Sequence, residues 1–586
     1  MTWPVTTQGQ VEARNTGVLR NFCRQLRKRF KVILLGLLLA TAMSSWVFRL
    51  TGPIDLRADA GVYFILGSSI AQGKGYRLLH EPGEIRATQY PPLMPILVAV
   101  HQVMLGSNDP ALVGYALRLT ALFTYLAFTT ATYIAVRQLL PTMAALAVVL
   151  LTLLSFYAYF MSNLLMPEIM YAGITAVFIS LNTRSSRKSS RSRELLSFCL
   201  ATAAFGLRTI GVALYAAWVG EAILKRDLRQ AFMRLTLSAI AIGAWQTYVR
   251  YVEAREDYLV PVYEYQRAPY LFYNVSYFRN VLLSDPFSQS ARVNATDLLK
   301  RIGGNVRRLP VALAEAATAE RHIWLPVWTG QYTRKWPRAL DLALGTLGLA
   351  IVAGLIIQVA QGYFVVPLYV AATIIMVCTV PWPVQLPRYL WPLTPFLLTG
   401  LIFFLLRVQE RLQVVLLRMP RYTRYLTVSV PLTCLLTQQA TVFYRAHTSW
   451  LVDAVYRDQA GATIRQRVFG YFPSDLAIDQ ASDWLGQHAQ AGEVVATSSP
   501  PLVFLRTGLK SVMPPFETNP ERAQTLLDQV PVTFLFLETS SRNINGRSTS
   551  EWVAPVVEMY PSNWNQVYAS SDGMLKIYRR VHLARE

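Results

Sequence analysis

Long apolar stretches recur along most of the chain, separated by polar, turn-rich segments. Runs approaching 20 apolar residues are long enough to cross a bilayer as helices. The pattern places such runs at 32–50, 112–139, 143–162, 168–182, 235–251, 339–359, 363–380, 390–406 and 426–444. A pair of short helices over 195–224, broken at Gly206 to Gly211, brings the count to about eleven spans. The stretch 91–104 is apolar but short and begins at Pro91-Pro92, which suits a juxtamembrane or re-entrant piece. Between 252 and 338 the chain is polar and rich in Tyr and Trp. Its run Tyr258, Tyr263, Tyr265, Tyr270 and Tyr273 is expected at headgroup level. After residue 445 the pattern changes. Helices over 476–490 and 523–529 alternate with strands over 493–497 and 532–538, and Val567 with 575–578 closes a hairpin. The expected fold is a polytopic α-helical membrane protein with a C-terminal extracytoplasmic α/β domain. Its parts are a basic cytoplasmic arm (1–31), a transmembrane domain (32–445) with external loops 51–111 and 252–338, and the domain 446–586.

Composition supports this class, and charge orients it. Of 586 residues, 53% are hydrophobic and only 15% charged, too apolar for a soluble chain of this length. The net charge of +22 does not point to nucleic acid, because the cations cluster beside apolar spans. Arg20, Arg24, Arg27, Lys28, Arg29 and Lys31 precede the first span; Arg184, Arg187, Lys188, Arg191 and Arg193, then Lys225, Arg226 and Arg229, and finally Arg407, Arg411, Arg418, Arg421 and Arg424 follow later ones. The positive-inside rule puts all of them on one side. The N-terminus is then cytoplasmic and the C-terminal domain extracytoplasmic, in a plasma (inner) membrane. The 32–50 segment lacks a small-residue cleavage site and reads as a retained first helix, not a signal peptide. Cys23, Cys199, Cys378 and Cys434 are scattered, as are the six histidines, so no metal site and no cofactor are expected. Asn274 and Asn294 head glycosylation sequons that matter only in a secretory host.

Candidate chemistry gathers on the outer side. Asp55 and Asp59 follow the first span, with a Gly73-Lys74-Gly75 turn and Pro91-Pro92 further on. Acidic groups at a membrane surface are costly to desolvate and mark a site. Asp59 and Tyr63, four apart, share one helix face. Glu168 heads the next outer helix, where it also suits the helix dipole. Arg208 lies in the 206–211 break, where pairing with Glu168 or Asp59 is the structural alternative to a substrate role. Arg388 follows Pro387 before a late helix, where snorkelling to the interface would also explain it. Asp55 equally suits a helix cap.

Together, Asp59-x-x-x-Tyr63, Gly73-x-Gly75-Tyr76, Tyr90-Pro91-Pro92-Leu93, Glu168, Arg208 in Leu-Arg-Thr-x-Gly, and Pro387-Arg388-Tyr389-Leu390-x-Pro392 resemble the GT-C superfamily of integral membrane glycosyltransferases. The branch they resemble most holds bacterial relatives of the protein O-mannosyltransferases and of the lipid A aminoarabinose transferase. That resemblance implies transfer of a sugar, with inversion, from a polyprenyl-phosphate carrier to an external acceptor that is a glycan, lipid or protein. It implies Asp59 as general base, with Arg208 and Arg388 as phosphate clamps. Lys74 and Arg86 are further candidates for the phosphate, and Asp55, Tyr63, Tyr76, Tyr90, Glu168 and Tyr389 for substrate contact. The chain departs from the aminoarabinose branch in two places: Asp59-Ala60 replaces an Asp-Glu pair, and Tyr90 stands where that branch has lysine. Two other classes stay open, a transporter or flippase of lipid-linked saccharides and a non-catalytic scaffold of envelope assembly. The C-terminal domain has neither a phosphate loop nor triad spacing, which leaves acceptor recognition, lid and stability roles open.

Overall fold

A computed structural model describes residues 32–183, 190–285, 292–324, 338–415, 423–539 and 548–581. The basic arm 1–31 and, of the later cationic runs, Arg184, Arg187, Lys188, Arg418 and Arg421 lie outside the described residues. Four described helices are long and apolar enough to cross a membrane: Pro110–Val136, Arg338–Ala360, Pro383–Leu412 and Leu426–Trp450. The pair Thr142–Leu153 and Phe156–Asn163, bent by 53°, makes a fifth if it is one span. The expected count of about eleven is thus not reached by length and composition. Several apolar runs fold as shorter helices: Val365–Val377 stands for 363–380, and Val32–Val47 for 32–50. The break at 206–211 is observed, between Arg191–Leu207 and Val212–Leu224.

Glycines let the helices cross closely. A Cβ on Gly348 would lie 1.8 Å from the Pro310 carbonyl, and one on Gly354 would lie 1.7 Å from that of Gly400. Only a residue without a side chain permits this backbone contact. The crossing seats Arg338–Ala360 between Ala295–Ala317 and Thr394–Val415. The segment 252–338 is therefore more than a loop, because the 23-residue helix Ala295–Ala317 runs through it and buries its C-terminal end in the bundle core.

The Tyr-rich run packs largely inside the protein. Tyr258, Tyr263, Tyr265 and Tyr270 are all buried. Tyr263, Tyr265 and Tyr270 share a core with the C-terminal domain, and two of their hydroxyls find partners inside the protein. Tyr263 donates to Glu81 at 2.7 Å and Tyr265 to the Met513 carbonyl at 3.2 Å, so burial leaves neither without a partner.

The C-terminal domain holds a five-stranded sheet in the order β4-β3-β5-β7-β6. Strands β3 (Val494–Ala496), β4 (Lys510–Val512) and β5 (Val532–Glu538) are parallel, and β7 (Leu575–Arg580) runs antiparallel between β5 and β6 (Trp564–Ala569). The helices expected at 476–490 and 523–529 are Pro473–His488 and Pro520–Asp528. The pattern did not foretell a separate hairpin of β1 (Leu451–Arg457) and β2 (Thr463–Phe469), or the helices Pro500–Thr507 and Ser550–Met559.

This domain is joined to the stretch 55–84. Arg57 pairs with Asp55 at 2.7 Å and with Asp475 at 2.9 Å. Lys510 reaches the Leu79 carbonyl and Glu84, while the Ser511 amide donates to the His80 carbonyl. Burial, with Lys510 next, pushes the His80 imidazole down to about 3, so it is a neutral part of this joint.

Candidate functional site

Local structure puts acids at helix starts and bases at helix ends. Asp59 opens the helix Asp59–Ala71, and Glu168 opens Glu168–Thr183. Arg208 caps the C-terminus of Arg191–Leu207 in extended backbone, and Arg388 sits in the last turn of Leu386–Leu390. Each charge suits the dipole end on which it lies. The residue before Asp59, Ala58, has φ 54° and ψ −137°, which costs a non-glycine residue about 1–3 kcal/mol and recurs at functional positions.

These four charges, far apart in sequence, meet. Asp59 Oδ2 accepts from Arg388 Nη2 at 2.9 Å, and Asp59 Oδ1 accepts from the Tyr273 hydroxyl at 2.8 Å. Arg388 Nη2 also lies 3.4 Å from Glu168 Oε1, and Arg208 Nη1 lies 2.9 Å from that same oxygen. The formal charges cancel. The Asp59 and Arg388 side chains keep 21% and 22% exposure against 2% for Glu168, so the group opens on the Asp59 side and is sealed behind Glu168. Its hydrogen bonding is incomplete. Among the described residues, Glu168 Oε2, Arg388 Nε and the Tyr90 hydroxyl are buried without a hydrogen-bond partner.

Aromatic rings wall the group. The Tyr63 ring lies 4.7 Å from that of Tyr90, which lies 6.1 Å from Tyr273 and 6.2 Å from Phe272. Tyr76 supports the wall by donating to the Tyr90 carbonyl at 3.0 Å. Tyr389 packs half-buried beside Arg388. On the other side, an apolar crevice lined by Met94, Leu97, Leu165, Met166, Ile169 and Met170 runs up to the residues flanking Glu168.

Three candidates lie elsewhere. Asp55 is fully buried in the joint with Arg57. Lys74 pairs with Glu84 at 3.0 Å with 44% exposure, and Arg86 pairs with Asp257 at 3.3 Å. Sequence reasoning missed Tyr273, whose only signal was its place in a run of tyrosines. The turn that carries it is anchored by Asn274, which donates to the buried Glu81 at 3.0 Å. That sequon asparagine is therefore spent inside the protein. Burial pushes the Glu81 carboxyl up, against three hydrogen bonds from Asn274, Tyr263 and Gln266.

Chemically, the group offers a carboxylate held between a guanidinium and a phenol, where it can take a proton from a hydroxyl. Two guanidinium groups beside it suit a phosphate, which they bind through paired N–H donors. Among the described residues, no three acidic, histidine or cysteine side chains gather as a metal site would require.

No family model matches the chain, and no curated protein matches it by sequence. Solved structures do match by fold. The archaeal oligosaccharyltransferase AglB from Archaeoglobus fulgidus, in complex with an inhibitory peptide and a dolichol-phosphate, superposes with a TM-score of 0.51 at 9% identity, over 96% of this chain and 75% of AglB. The same enzyme in complex with Zn and sulfate gives 0.53 at 10% identity, over 93% and 73%. ArnT from Cupriavidus metallidurans bound to undecaprenyl phosphate gives 0.47 at 12% identity, over 94% and 98%. At such identities the likeness to this oligosaccharyltransferase is one of fold alone.

Proposed function

We propose that the chain is a glycosyltransferase that takes a sugar from a polyprenyl-phosphate carrier and passes it to an acceptor on the extracytoplasmic face. The observation that carries this reading is the meeting of Asp59, Glu168, Arg208 and Arg388, drawn from four separate elements into one half-open group beside an apolar crevice. The GT-C fold shared with AglB, in a structure that holds a dolichol-phosphate, supports the same class of donor.

In this reading the phosphate of the carrier sits on Arg388 and Arg208, on the open side of the group. Asp59 takes the proton of the acceptor hydroxyl as its oxygen bonds the anomeric carbon. The bond from that carbon to the phosphate oxygen breaks on the opposite face, which inverts the centre, and the two guanidiniums neutralise the charge left on the carrier. Arriving phosphate competes with Asp59 for Arg388, which releases the carboxylate from its ion pair as the donor binds. Glu168, sealed behind, holds both arginines in place. The rings of Tyr63 and Tyr90 form a stacking surface for the sugar.

Mass spectrometry of envelope glycolipids and glycoproteins, with and without the gene, tests the reading. One sugar substituent is expected to disappear, and Asp59→Asn is expected to lose the same one. An unchanged envelope in both strains would refute it.

A further inference from the structure

The C-terminal domain carries no catalytic pattern of its own, yet a chain of aromatic contacts joins it to the carboxylate. Within the domain, Trp552 stacks on Phe516 with ring centres 4.3 Å apart. Phe516 stacks in turn on Tyr270 at 4.8 Å. Tyr270 leads directly into the turn Phe272–Asn274, pinned by the Asn274 bond to Glu81 and by the edge contact of Phe272 with Trp382 at 5.4 Å. Tyr273, at the centre of that turn, donates to Asp59.

Resting on the reading of Asp59 as the base, we propose that Tyr273 is a positioning residue, held on Asp59 by the C-terminal domain, which thereby sets the orientation of the carboxylate. The Tyr273 hydroxyl donates to one carboxylate oxygen and Arg388 to the other, which fixes the rotation of the group. Glu168 and Arg208 hold Arg388 from behind, and the rings of Tyr63 and Tyr90 complete the surroundings. With Arg388 unchanged, loss of the Tyr273 hydroxyl frees one oxygen of Asp59. The domain enters because Tyr273 lies on a short turn with no long helix to hold it.

The test is an infrared difference spectrum of the full-length protein in lipid nanodiscs without substrate, at one pH, with Asp59→Asn subtracted to isolate the Asp59 carboxylate bands. Tyr273→Phe is expected to shift the antisymmetric carboxylate stretch, because one charge-assisted hydrogen bond is lost, and Phe516→Leu, within the C-terminal domain, to reproduce part of that shift with the domain still folded. A band unmoved in Tyr273→Phe overturns the proposal. A band that moves there but stays put in Phe516→Leu overturns the part given to the domain. If the bands shift while Asp59→Asn leaves the envelope sugars intact, the contact stands and the transferase reading falls.

Discussion

Two of the buried charge groups, at opposite ends of the helix Arg191–Leu207, are built differently. In the first, Arg234 uses every nitrogen. Its Nε and Nη2 bond the two oxygens of Glu194 at 2.9 and 3.0 Å, and its Nη1 bonds Glu221 at 2.8 Å and the Trp218 carbonyl. Lys225 closes on Glu221 at 2.6 Å. All members come from the consecutive helices Arg191–Leu207, Val212–Leu224 and Leu228–Glu253. The Asp59 group instead draws on residues up to 329 positions apart and leaves polar atoms of Glu168, Arg388 and Tyr90 unmatched. Completeness of hydrogen bonding, and not buried charge as such, separates a strut from a site. A finished network has nothing left to offer a ligand.

Four substitutions would break or sharpen this contrast. Asp59→Asn keeps the shape and a hydrogen bond from Arg388 but removes the base, so transfer is expected to fall about a thousandfold with the thermal midpoint nearly unchanged. Turnover measured on purified protein, alongside a melting curve, checks both halves. Arg234→Met should do the reverse. It strands Glu194 and Glu221 in an apolar setting and is expected to cost about 3–5 kcal/mol of stability, while activity per folded molecule holds. A melting point equal to wild type would remove the strut from the comparison. Arg388→Lys keeps the charge but loses the fork that spans Asp59, Glu168 and a phosphate, and about a tenfold to hundredfold loss of turnover should follow. Lys74→Ala removes an exposed pair worth under about 1 kcal/mol and should change neither rate nor melting point measurably. A large loss of transfer would instead draw Lys74 into the site.

Legibility in the sequence followed the range of the interactions. Glu168 at a helix start and Arg208 at a helix break could be read because proline, glycine and charge position act within a turn or two. Helix Glu168–Thr183 begins at the residue the pattern indicated, and strand Val532–Glu538 matches to the residue. The short helix Leu386–Leu390, which aims Arg388, precedes the apolar run 390–406 and is not legible in that run's pattern. The tyrosine run was assigned to the membrane surface because a local pattern does not distinguish an aromatic facing lipid headgroups from one buried in another domain.

Sequence alone therefore determined the membrane class, the alternation of the C-terminal domain, and the charges placed at helix starts and breaks, since hydrophobic length and dipole preference are local properties. Tertiary structure decided which of those charges face one another. It sent Asp55 into a joint with Arg57 and Asp475, tied Lys74 to Glu84, and brought Tyr273 from 214 residues away onto Asp59. An ion pair or hydrogen bond needs its partners within about 3–4 Å, and only the packed chain sets such distances between residues that its order keeps hundreds of positions apart.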